Sequence, residues 1–315
     1  MKPESFKGLL CHVPTSVAVG NFDGVHKGHQ ALVKKAKEFA KKDGLLCIAL
    51  TFHPHPLKVF GREKRLIITH LEEKVRLLKA YGADRVYVLK FDSELSNMAP
   101  ETFVEEVLHK RLNCKALVVG QNFKFGRGRS GNVETLKRLS TRYGFTFFAH
   151  PQVLVDGVPV SSTRVRRLVR EGKVEEAARL LGRPYKVGGE VVKGKGRGKG
   201  LGFPTANVEP FNEVIPKNGV YAALVDLDSS LHKAVVNIGL KPTFGEEDYT
   251  IEAHILDFER DLYGKRVGIH FAFRLRAEKK FDNIEQLREA IGKDVERGRE
   301  LLQWECILRD RFLCG

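Results

Sequence analysis

The strongest constraint on the fold is an alternation of strand-like and helix-like segments through the first half of the chain. Apolar runs predict strands at 16–19, 45–51, 86–89, 116–119 and 145–148. Between them, apolar residues at helical spacing predict helices at Gln30–Lys42, Leu71–Tyr81, Pro100–Arg111 and Val133–Tyr143. Such alternation is typical of βαβ units, so it predicts a doubly wound parallel sheet with helices on both faces.

The pattern changes near Leu181–Pro184, after two predicted helices at Ser162–Arg170 and Val174–Leu181. Beyond Pro184, short apolar runs separated by Gly, Pro and Asp predict an antiparallel barrel. These runs are 190–192, 219–225, 234–238, 250–256 and 267–273. A terminal helix is predicted after an Asp282 cap, with Ile284, Leu287, Ile291, Val295 and Leu302 at helical spacing. We therefore expect an α/β chain with two domains, 1–183 and 184–315.

Charge and cysteine usage narrow the partners and the compartment. The 315 residues include 54 Lys and Arg against 39 Asp and Glu, a formal net charge of +15. That excess suits either nucleic acid or small polyanions such as nucleotide phosphates. The five cysteines are scattered without a CxxC pair, which argues against a disulfide framework and predicts a reducing, cytoplasmic location. No apolar run reaches the ~18 residues of a membrane span, and Met1–Leu10 predicts no secretory signal.

The first motif with chemical content is Gly-Asn-Phe-Asp-Gly-Val-His-Lys-Gly-His at 20–29. It lies between a predicted strand and a predicted helix, where open parallel sheets bind ligands. Its glycines allow sharp turns, and the helix start attracts phosphates. His26 and His29 are three residues apart and face the same way on a helix, so both can donate to phosphate oxygens. The alternatives are a metal pair, which lacks a third ligand nearby, or two surface histidines.

Two further motifs follow predicted strands of the first half, and a third begins a predicted helix. His53-Pro54-His55-Pro56 follows the second strand, although these histidines could be plain turn residues. The segment 120–126, which contains Asn122 and Phe125, follows the fourth strand. Ser161, Ser162 and Thr163 can cap a helix on which Arg164 and Arg166 could clamp anionic oxygens. The alternative for this last run is a capped helix with a solvated basic face.

The second half has a Gly-rich basic loop at 193–202 followed by Pro204-Thr205-Ala206-Asn207. Backbone N–H groups of such a loop can wrap phosphates, although its composition also suits a flexible linker. It is not a Walker P-loop, because no Gly-Lys-Ser/Thr opens a helix. Later, Glu252 stands between Ile251 and Ala253, which point to the other face of a strand. Glu252 is therefore either a site carboxylate or an outward, solvated one.

Taken together, the motifs resemble those of bacterial bifunctional riboflavin kinase/FAD synthetases. The 20–29 segment is similar to the HxGH signature of the nucleotidyltransferases, and 120–126 to G-x-[DN]-F-x-F-G. The 161–166 segment resembles SSTxIR, with Val165 in place of Ile. In the second half, 204–207 resembles the PTAN motif of riboflavin kinases, 237–244 resembles NIGxxPTF, and 249–258 resembles the strand with the kinase's catalytic Glu.

The resemblance implies a fold, two reactions and a set of site residues. It implies an N-terminal Rossmann-like nucleotidyltransferase domain and a C-terminal riboflavin kinase barrel. Riboflavin would be phosphorylated by ATP with Mg²⁺, and FMN then adenylylated by a second ATP to give FAD and pyrophosphate. Glu252 would be the kinase base, His26 and His29 would be catalytic in adenylyl transfer, and Thr205 and Asn207 would hold the metal. Flavin would be bound by His53, Pro54, Asn122, Phe125 and Asn237. Nucleotide or phosphate would be bound by Gly20, Phe22, Asp23, Gly24, Gly28, Ser161, Ser162, Thr163, Arg164, Arg166, Lys193, Gly194, Gly198 and Gly202.

The expected partners are ATP, riboflavin and FMN, with no nucleic acid and no membrane, while the oligomeric state stays open. Three competing functions remain. A riboflavin kinase with an inactive first domain is disfavoured by the intact His26, His29 and Ser-Ser-Thr-Arg run. An HxGH enzyme with another acceptor is disfavoured by PTAN and Glu252. A basic RNA-binding protein would need an aromatic RNP-like strand or a helix-turn-helix, and the sequence has neither.

Overall fold

A computed structural model describes residues 5–59, 61, 65–194, 200–228, 230–243 and 246–303. Its contacts divide the chain into two compact units. Unit 1 comprises Met1–Leu66 and Leu71–Ser161, and unit 2 comprises Ile67–His70 and Ser162–Gly315. The domain boundary predicted between residues 183 and 184 stays a prediction, namely that the parts of the chain on either side of it fold independently.

Unit 1 is built on a five-stranded sheet. Its neighbouring strands are all parallel, in the order β3-β2-β1-β4-β5. The strands are β1 Thr15–Val19, β2 Leu46–His53, β3 Arg85–Lys90, β4 Cys114–Gly120 and β5 Thr146–His150. Each falls on a predicted run, and most extend it by a few residues. A small antiparallel hairpin follows, β6 Leu154–Val155 and β7 Val158–Pro159.

The helices of unit 1 connect the parallel strands. They are α1 Lys27–Asp43, α2 Pro56–Val59, α3 Leu71–Ala80, α4 Ser93–Ser96, α5 Pro100–Thr102 and α6 Val133–Tyr143, with short 3₁₀ turns at Phe6–Gly8 and Arg127–Arg129. The helix predicted over Pro100–Arg111 is present, but from Phe103 to Arg111 its backbone is π-helical. The short α2 and α4 were not predicted, because four residues are too few for a periodic pattern.

Two apolar cores lie on the two faces of the sheet. On β1, Val17 and Val19 pack into one cluster and Ala18 into the other. The first cluster includes side chains of the Phe103–Arg111 helix and of α6, and the second includes those of α1 and α3. Because successive strand residues point to opposite faces, this division confirms the doubly wound sheet.

Unit 2 contains a closed antiparallel barrel with the strand order β10-β11-β12-β9-β8-β13. Its strands are β8 Tyr185–Val192, β9 Ala206–Pro210, β10 Gly219–Leu227, β11 Ser230–Thr243, β12 Glu246–Ile255 and β13 Arg266–Arg276. The barrel architecture was predicted correctly, although β9 was not recognised as a strand. The short β9 ends at Pro210 and follows Pro204, which hides its pattern.

Unit 2 also contains helices, and the bounds of three of them lie within the described residues. α7 Ser162–Arg170 and α8 Val174–Leu181 have the predicted bounds. The terminal helix α9, Ile284–Leu301, begins one residue later than expected, because Asn283 rather than Asp282 is its cap. The Asn283 side chain accepts a hydrogen bond from the Gln286 N–H at 2.9 Å. All the apolar residues predicted at helical spacing lie on this helix or at its end, although Ile284 is 65% exposed. The helix packs through Leu302, which is fully buried, and through Gly298, where a Cβ would lie 2.9 Å from Val235 Cγ2.

A four-residue segment from the first half of the chain, Ile67–His70, is part of unit 2. The buried Tyr185 hydroxyl contacts the carbonyl oxygens of Ile68 and Val214 at 3.2 and 2.5 Å. The Asn212 side-chain amide donates to the same Ile68 oxygen at 2.7 Å, and the Ile67 N–H donates to a neighbouring carboxylate, Glu213 Oε2, at 3.0 Å. Hydrogen bonds buried in this way fix the segment within the unit. In the part of the chain that the structure describes, no helix is long and apolar enough to cross a membrane.

Candidate active sites

The loop between β1 and α1 has an unusual backbone held by buried apolar side chains. Phe22, Gly24 and Val25 have φ values of +51°, +86° and +40°. The Phe22 and Val25 side chains are fully buried in the core shared by α1 and α3, and Asp23 is 2% exposed. Left-handed conformations at non-glycine residues cost about 1–3 kcal/mol and occur where the surrounding structure enforces them. The loop is therefore a preformed element.

His26 and His29 form a stacked pair at the start of α1. His26 is the N-cap, and its Nδ1 accepts from the His29 N–H at 3.3 Å. Their ring centroids are 3.6 Å apart and the planes are 15° from parallel. Because Nδ1 of His26 accepts, a neutral imidazole there carries its proton on Nε2 and can donate from it. A Cβ on Gly28 would lie 3.1 Å from His26 Cε1, which explains why a glycine stands between the two histidines.

Within the described residues, no three His, Cys, Asp or Glu side chains are grouped so that they could hold a metal ion. The stacked imidazoles lie at a helix N-terminus, where free N–H groups favour anions. The predicted facing of His26 and His29 is confirmed, and the arrangement suits phosphate oxygens.

Unit 1 has a cavity of about 590 Å³ with five phenylalanines in its lining, which we call the aromatic cavity. Asn122 and Phe125, two of the predicted flavin residues, line it. His53 and Pro54 do not, whereas their neighbours Phe52 and Pro56 do. Asn21, Phe123 and Lys124 also line it and lie in the predicted motifs at 20–29 and 120–126, although no individual role was predicted for them. Sequence reasoning missed other lining residues, including Phe52, Phe91, Phe103, Arg127 and Arg129.

The 122–126 motif builds one wall of this cavity. The Phe125 N–H donates to the Gly131 carbonyl at 3.0 Å, and the reverse bond is 2.9 Å. The Phe125 ring lies 5.7 Å from the rings of both Phe123 and Phe103. A Cβ on Gly131 would lie 2.7 Å from the Phe125 ring, so only glycine fits there. The wall is a rigid aromatic surface of the kind that stacks on flat ligands.

A positional signal could have found several of the missed residues. Phe52 is near the end of β2 and Phe91 directly follows β3, as the recognised 120–126 motif follows β4. The carboxyl ends of parallel strands meet at one edge of a sheet, which is the usual position of ligand sites.

The structure describes all the residues that were predicted to bind phosphate at the start of α7, which are Ser161, Ser162, Thr163, Arg164 and Arg166. α7 begins at Ser162, and Arg166 is only 7% exposed. Ser161 belongs to unit 1 and Ser162, Thr163, Arg164 and Arg166 to unit 2. The joint action of these residues with His26 and His29 therefore stays a prediction.

In unit 2, three predicted residues lie in one row across adjacent strands. Glu252 on β12 pairs directly with Asn237 on β11 and with Asn207 on β9. Residues directly opposite each other in antiparallel strands share a face, so the three side chains are neighbours. Ile251 and Ala253 are 1% and 2% exposed on the other face, while Glu252 is half-buried. Glu252 is thus not an isolated surface carboxylate but stands between two amides.

The glycine-rich loop begins directly on this row. A Cβ on Gly194 would lie 2.0 Å from Asn207 Nδ2, so the Gly194 backbone covers the Asn207 side chain. Lys193 and Gly202 are also described, with Gly202 at φ +85°, whereas Gly198 lies outside the described residues. The His254 Nδ1–H donates to the Pro204 carbonyl at 2.8 Å, which fixes the backbone immediately before Thr205.

Next to the row is a glycine of the 237–244 motif for which sequence reasoning predicted no individual role. Gly239 pairs with Thr250, and a Cβ there would lie 2.8 Å from Thr250 Oγ1 and 3.4 Å from Glu278 Oε1. The Asn218 side-chain amide donates to Glu278 Oε2 at 3.0 Å. A hydroxyl and a second carboxylate therefore adjoin the row of Asn237, Glu252 and Asn207.

Comparison with known proteins covers both units. The family model described as FAD synthetase matches residues 10–164, and the one described as riboflavin kinase matches residues 181–302. A bifunctional riboflavin kinase/FMN adenylyltransferase of Bacillus subtilis (strain 168) is 37% identical over 285 residues, which cover 88% of this chain and 89% of that protein.

Two further relatives extend over similar lengths. A bifunctional riboflavin kinase/FMN adenylyltransferase of Escherichia coli (strain K12) is 36% identical over 286 residues, covering 90% of this chain and 91% of that protein. A crystal structure described as a macrolide-efflux protein from Streptococcus pneumoniae has a TM-score of 0.86 at 32% identity, covering 94% of this chain and 97% of that one. The similarity therefore extends over nearly the whole chain.

Proposed function

The chain belongs to the family of bifunctional riboflavin kinase/FMN adenylyltransferases, and we propose that each unit carries out one of the two reactions with the residues described above. Unit 2 phosphorylates riboflavin with ATP to give FMN and ADP. Unit 1 adenylylates FMN with a second ATP to give FAD and pyrophosphate. The observation that carries this division is that each unit has its own polar site, the stacked histidines in unit 1 and the row at Glu252 in unit 2.

In the kinase reaction, the ribityl 5′-hydroxyl oxygen attacks the γ-phosphorus of ATP, and Glu252 takes the proton from that hydroxyl. Asn237 and Asn207 flank the carboxylate and orient the polar groups that meet there. Phosphoryl transfer depends mainly on positioning and on neutralising charge, so this row and the loop at Gly194 suit it.

The donor set near Glu252 also fits Mg²⁺. Thr205 offers a hydroxyl oxygen and Asn207 an amide oxygen, and a hard cation prefers oxygen ligands. Mg²⁺ usually keeps several waters and takes the remainder of its ligands from substrate phosphates, so two protein oxygens are sufficient. When bound, the ion would neutralise charge on the ATP phosphates.

In the adenylyl reaction, an FMN phosphate oxygen attacks the α-phosphorus of ATP, and pyrophosphate leaves. No enzyme nucleophile is needed. His26, His29 and the N–H groups at the start of α1 stabilise the charge that develops on the transferring phosphorus. The aromatic cavity with Asn122 and Phe125 receives the flavin ring, which is flat and apolar on both faces.

We also assign the protein to the cytoplasm. Cys11, Cys47 and Cys114 are buried free thiols. Burial raises the pKa of Cys47 to about 11 and that of Cys114 to about 12, so both stay protonated and unreactive at neutral pH. Unpaired thiols of this kind suit a reducing compartment.

The test is to incubate the purified chain with riboflavin and MgATP, and separately with FMN and MgATP, and to separate the flavins chromatographically. We expect FMN followed by FAD in the first incubation and FAD in the second. FMN without FAD in both would indicate a riboflavin kinase with an inactive unit 1. Neither product would refute the proposal.

A further inference from the structure

A buried lysine in unit 1 has no place in the mechanism above. Lys74 lies on the packed face of α3 with Val75, Leu77 and Leu78, and it is only 6% exposed. Lysine is almost never this buried unless its ammonium has partners, because burial penalises the charged form. Here burial lowers the pKa of Lys74 to about 8, and the nearby Asp23 carboxylate raises it in part.

The partners of the Lys74 ammonium connect two walls of the aromatic cavity. Nζ donates to the Asn21 carbonyl at 3.3 Å and to the Phe52 carbonyl at 3.5 Å. Asn21 belongs to the loop that leads to His26, and Phe52 to the end of β2, and both line the cavity. The Thr51 hydroxyl donates to the same Asn21 carbonyl at 3.0 Å. One carbonyl of the loop is thus held by two buried donors.

We propose that Lys74 is a positioning residue for adenylyl transfer, which fixes the loop at Asn21 against the end of β2 so that the histidines and the flavin cavity keep their relative position. The inference rests on the proposed function of unit 1. Lys74 acts through the backbone of Asn21 and Phe52 and touches no reacting atom. The loop has left-handed φ values at Phe22 and Val25, so it needs such restraint to stay in place.

Stability alone does not account for an ammonium at this position. A methionine is unbranched and of similar length, and it would fill the same space without a charge to desolvate. Replacing the lysine removes a charge that burial disfavours, but it also takes the nearby cation from the buried Asp23 carboxylate and a donor from the Asn21 carbonyl. The folded fraction must therefore be measured beside the activity, while the loop loses a restraint. With a purely structural residue, activity would fall only as far as the folded fraction falls.

The experiment compares Lys74→Met with the parent chain and with Lys37→Met. Lys37 is a matched control, because it lies in the same unit but pairs with Asp84 at the surface. We measure kcat and KM for FAD formation from FMN, riboflavin phosphorylation by the same preparation, and the thermal midpoint. Lys74→Met should lower kcat for FAD formation by about 10- to 100-fold, since a misplacement of about 1 Å can cost about 10²-fold. Its KM for FMN and its kinase rate should stay near those of the parent, as should every value of Lys37→Met, and its loss of kcat should exceed any loss of folded protein.

A kcat within twofold of the parent in folded Lys74→Met would overturn the inference while leaving the proposed function intact. Failure of the parent chain itself to form FAD would overturn both. If Lys74→Met does not fold, Thr51→Val decides, because it removes the other donor to the Asn21 carbonyl with little change of shape. Thr51→Val should then lower kcat at least threefold, and an unchanged kcat would overturn the inference.

Discussion

Gly194→Ala is the change whose effect on the kinase can be worked out most directly from the structure. The added Cβ would lie 2.0 Å from Asn207 Nδ2 and 2.3 Å from Asn207 Cγ. Ordinary van der Waals contact begins at about 3.4 Å, so the Asn207 amide or the loop must move by roughly 1.4 Å, the difference between 3.4 and 2.0 Å. Either movement separates the Asn207 amide from the start of the loop that covers it.

We expect this displacement to lower riboflavin phosphorylation by about 10²-fold, the typical cost of misplacing a reacting group by about 1 Å. FAD formation from supplied FMN should be unchanged, because that chemistry belongs to unit 1. The assay is chromatographic measurement of both rates on one preparation, with circular dichroism to follow unfolding.

Gly292→Ala provides the matched control for this prediction. It is also in unit 2, and a Cβ at Gly292 would meet no atom within 4 Å. It should keep both activities. If folded Gly194→Ala phosphorylates riboflavin within twofold of the parent, the contact between Gly194 and Asn207 is irrelevant to the kinase, and the assignment of Asn207 to the site is refuted.

Three further predictions concern other parts of the chain. Glu252→Gln keeps the shape but cannot accept a proton, so riboflavin phosphorylation should fall by at least ~10² while FAD formation from FMN survives; retained phosphorylation would remove Glu252 from the mechanism. Because the pKa of Lys74 is about 8 in the folded chain and 10.5 ordinarily, the unfolded chain binds more protons between those pH values. The unfolding free energy of the parent should therefore rise relative to Lys74→Met, by up to about 3 kcal/mol from pH 8 to 10.5. Urea unfolding of both proteins across this range measures the rise, and a constant difference would contradict it. Finally, a fragment 162–315 should make FMN and melt at least about 5 °C above a fragment 183–315, which lacks the buried side chains of α7 and α8; equal melting temperatures in thermal scans would contradict this.

Local patterns were sufficient for most of the fold. α6, α7 and α8 have the bounds that periodicity predicted, because each has a clear apolar face and an end signal close by in the sequence. The terminal helix was predicted less accurately. Asp282 and Asn283 are adjacent candidates for its cap, and both are favoured residue types, so only the backbone conformation distinguishes them.

The arrangement of the site residues depends on pairing between strands that are distant in the sequence, and local sequence patterns do not reveal that pairing. The row of Asn237, Glu252 and Asn207 results from the register of three strands, and a shift by one residue would turn Glu252 to the other face. β9, which carries Asn207, was not predicted as a strand at all. A lysine such as Lys74 is the residue type expected on the exposed face of a helix. Its burial becomes visible only from its hydrogen bonds to the loop at Asn21 and to the end of β2 at Phe52.

The assignment of Ile67–His70 to unit 2 has a consequence for how such a gene could arise or be divided. The chain passes between the two units after Leu66, after His70 and after Ser161. Gene fission at any one position would therefore leave Tyr185 and Asn212 without the Ile68 carbonyl, or would detach part of unit 1. A single crossover at any of these positions would build one unit from the residues of two parents. No single crossover can therefore exchange one complete unit for the corresponding unit of a relative. Recombination between relatives should succeed best when Ile67–His70 and the barrel come from the same parent.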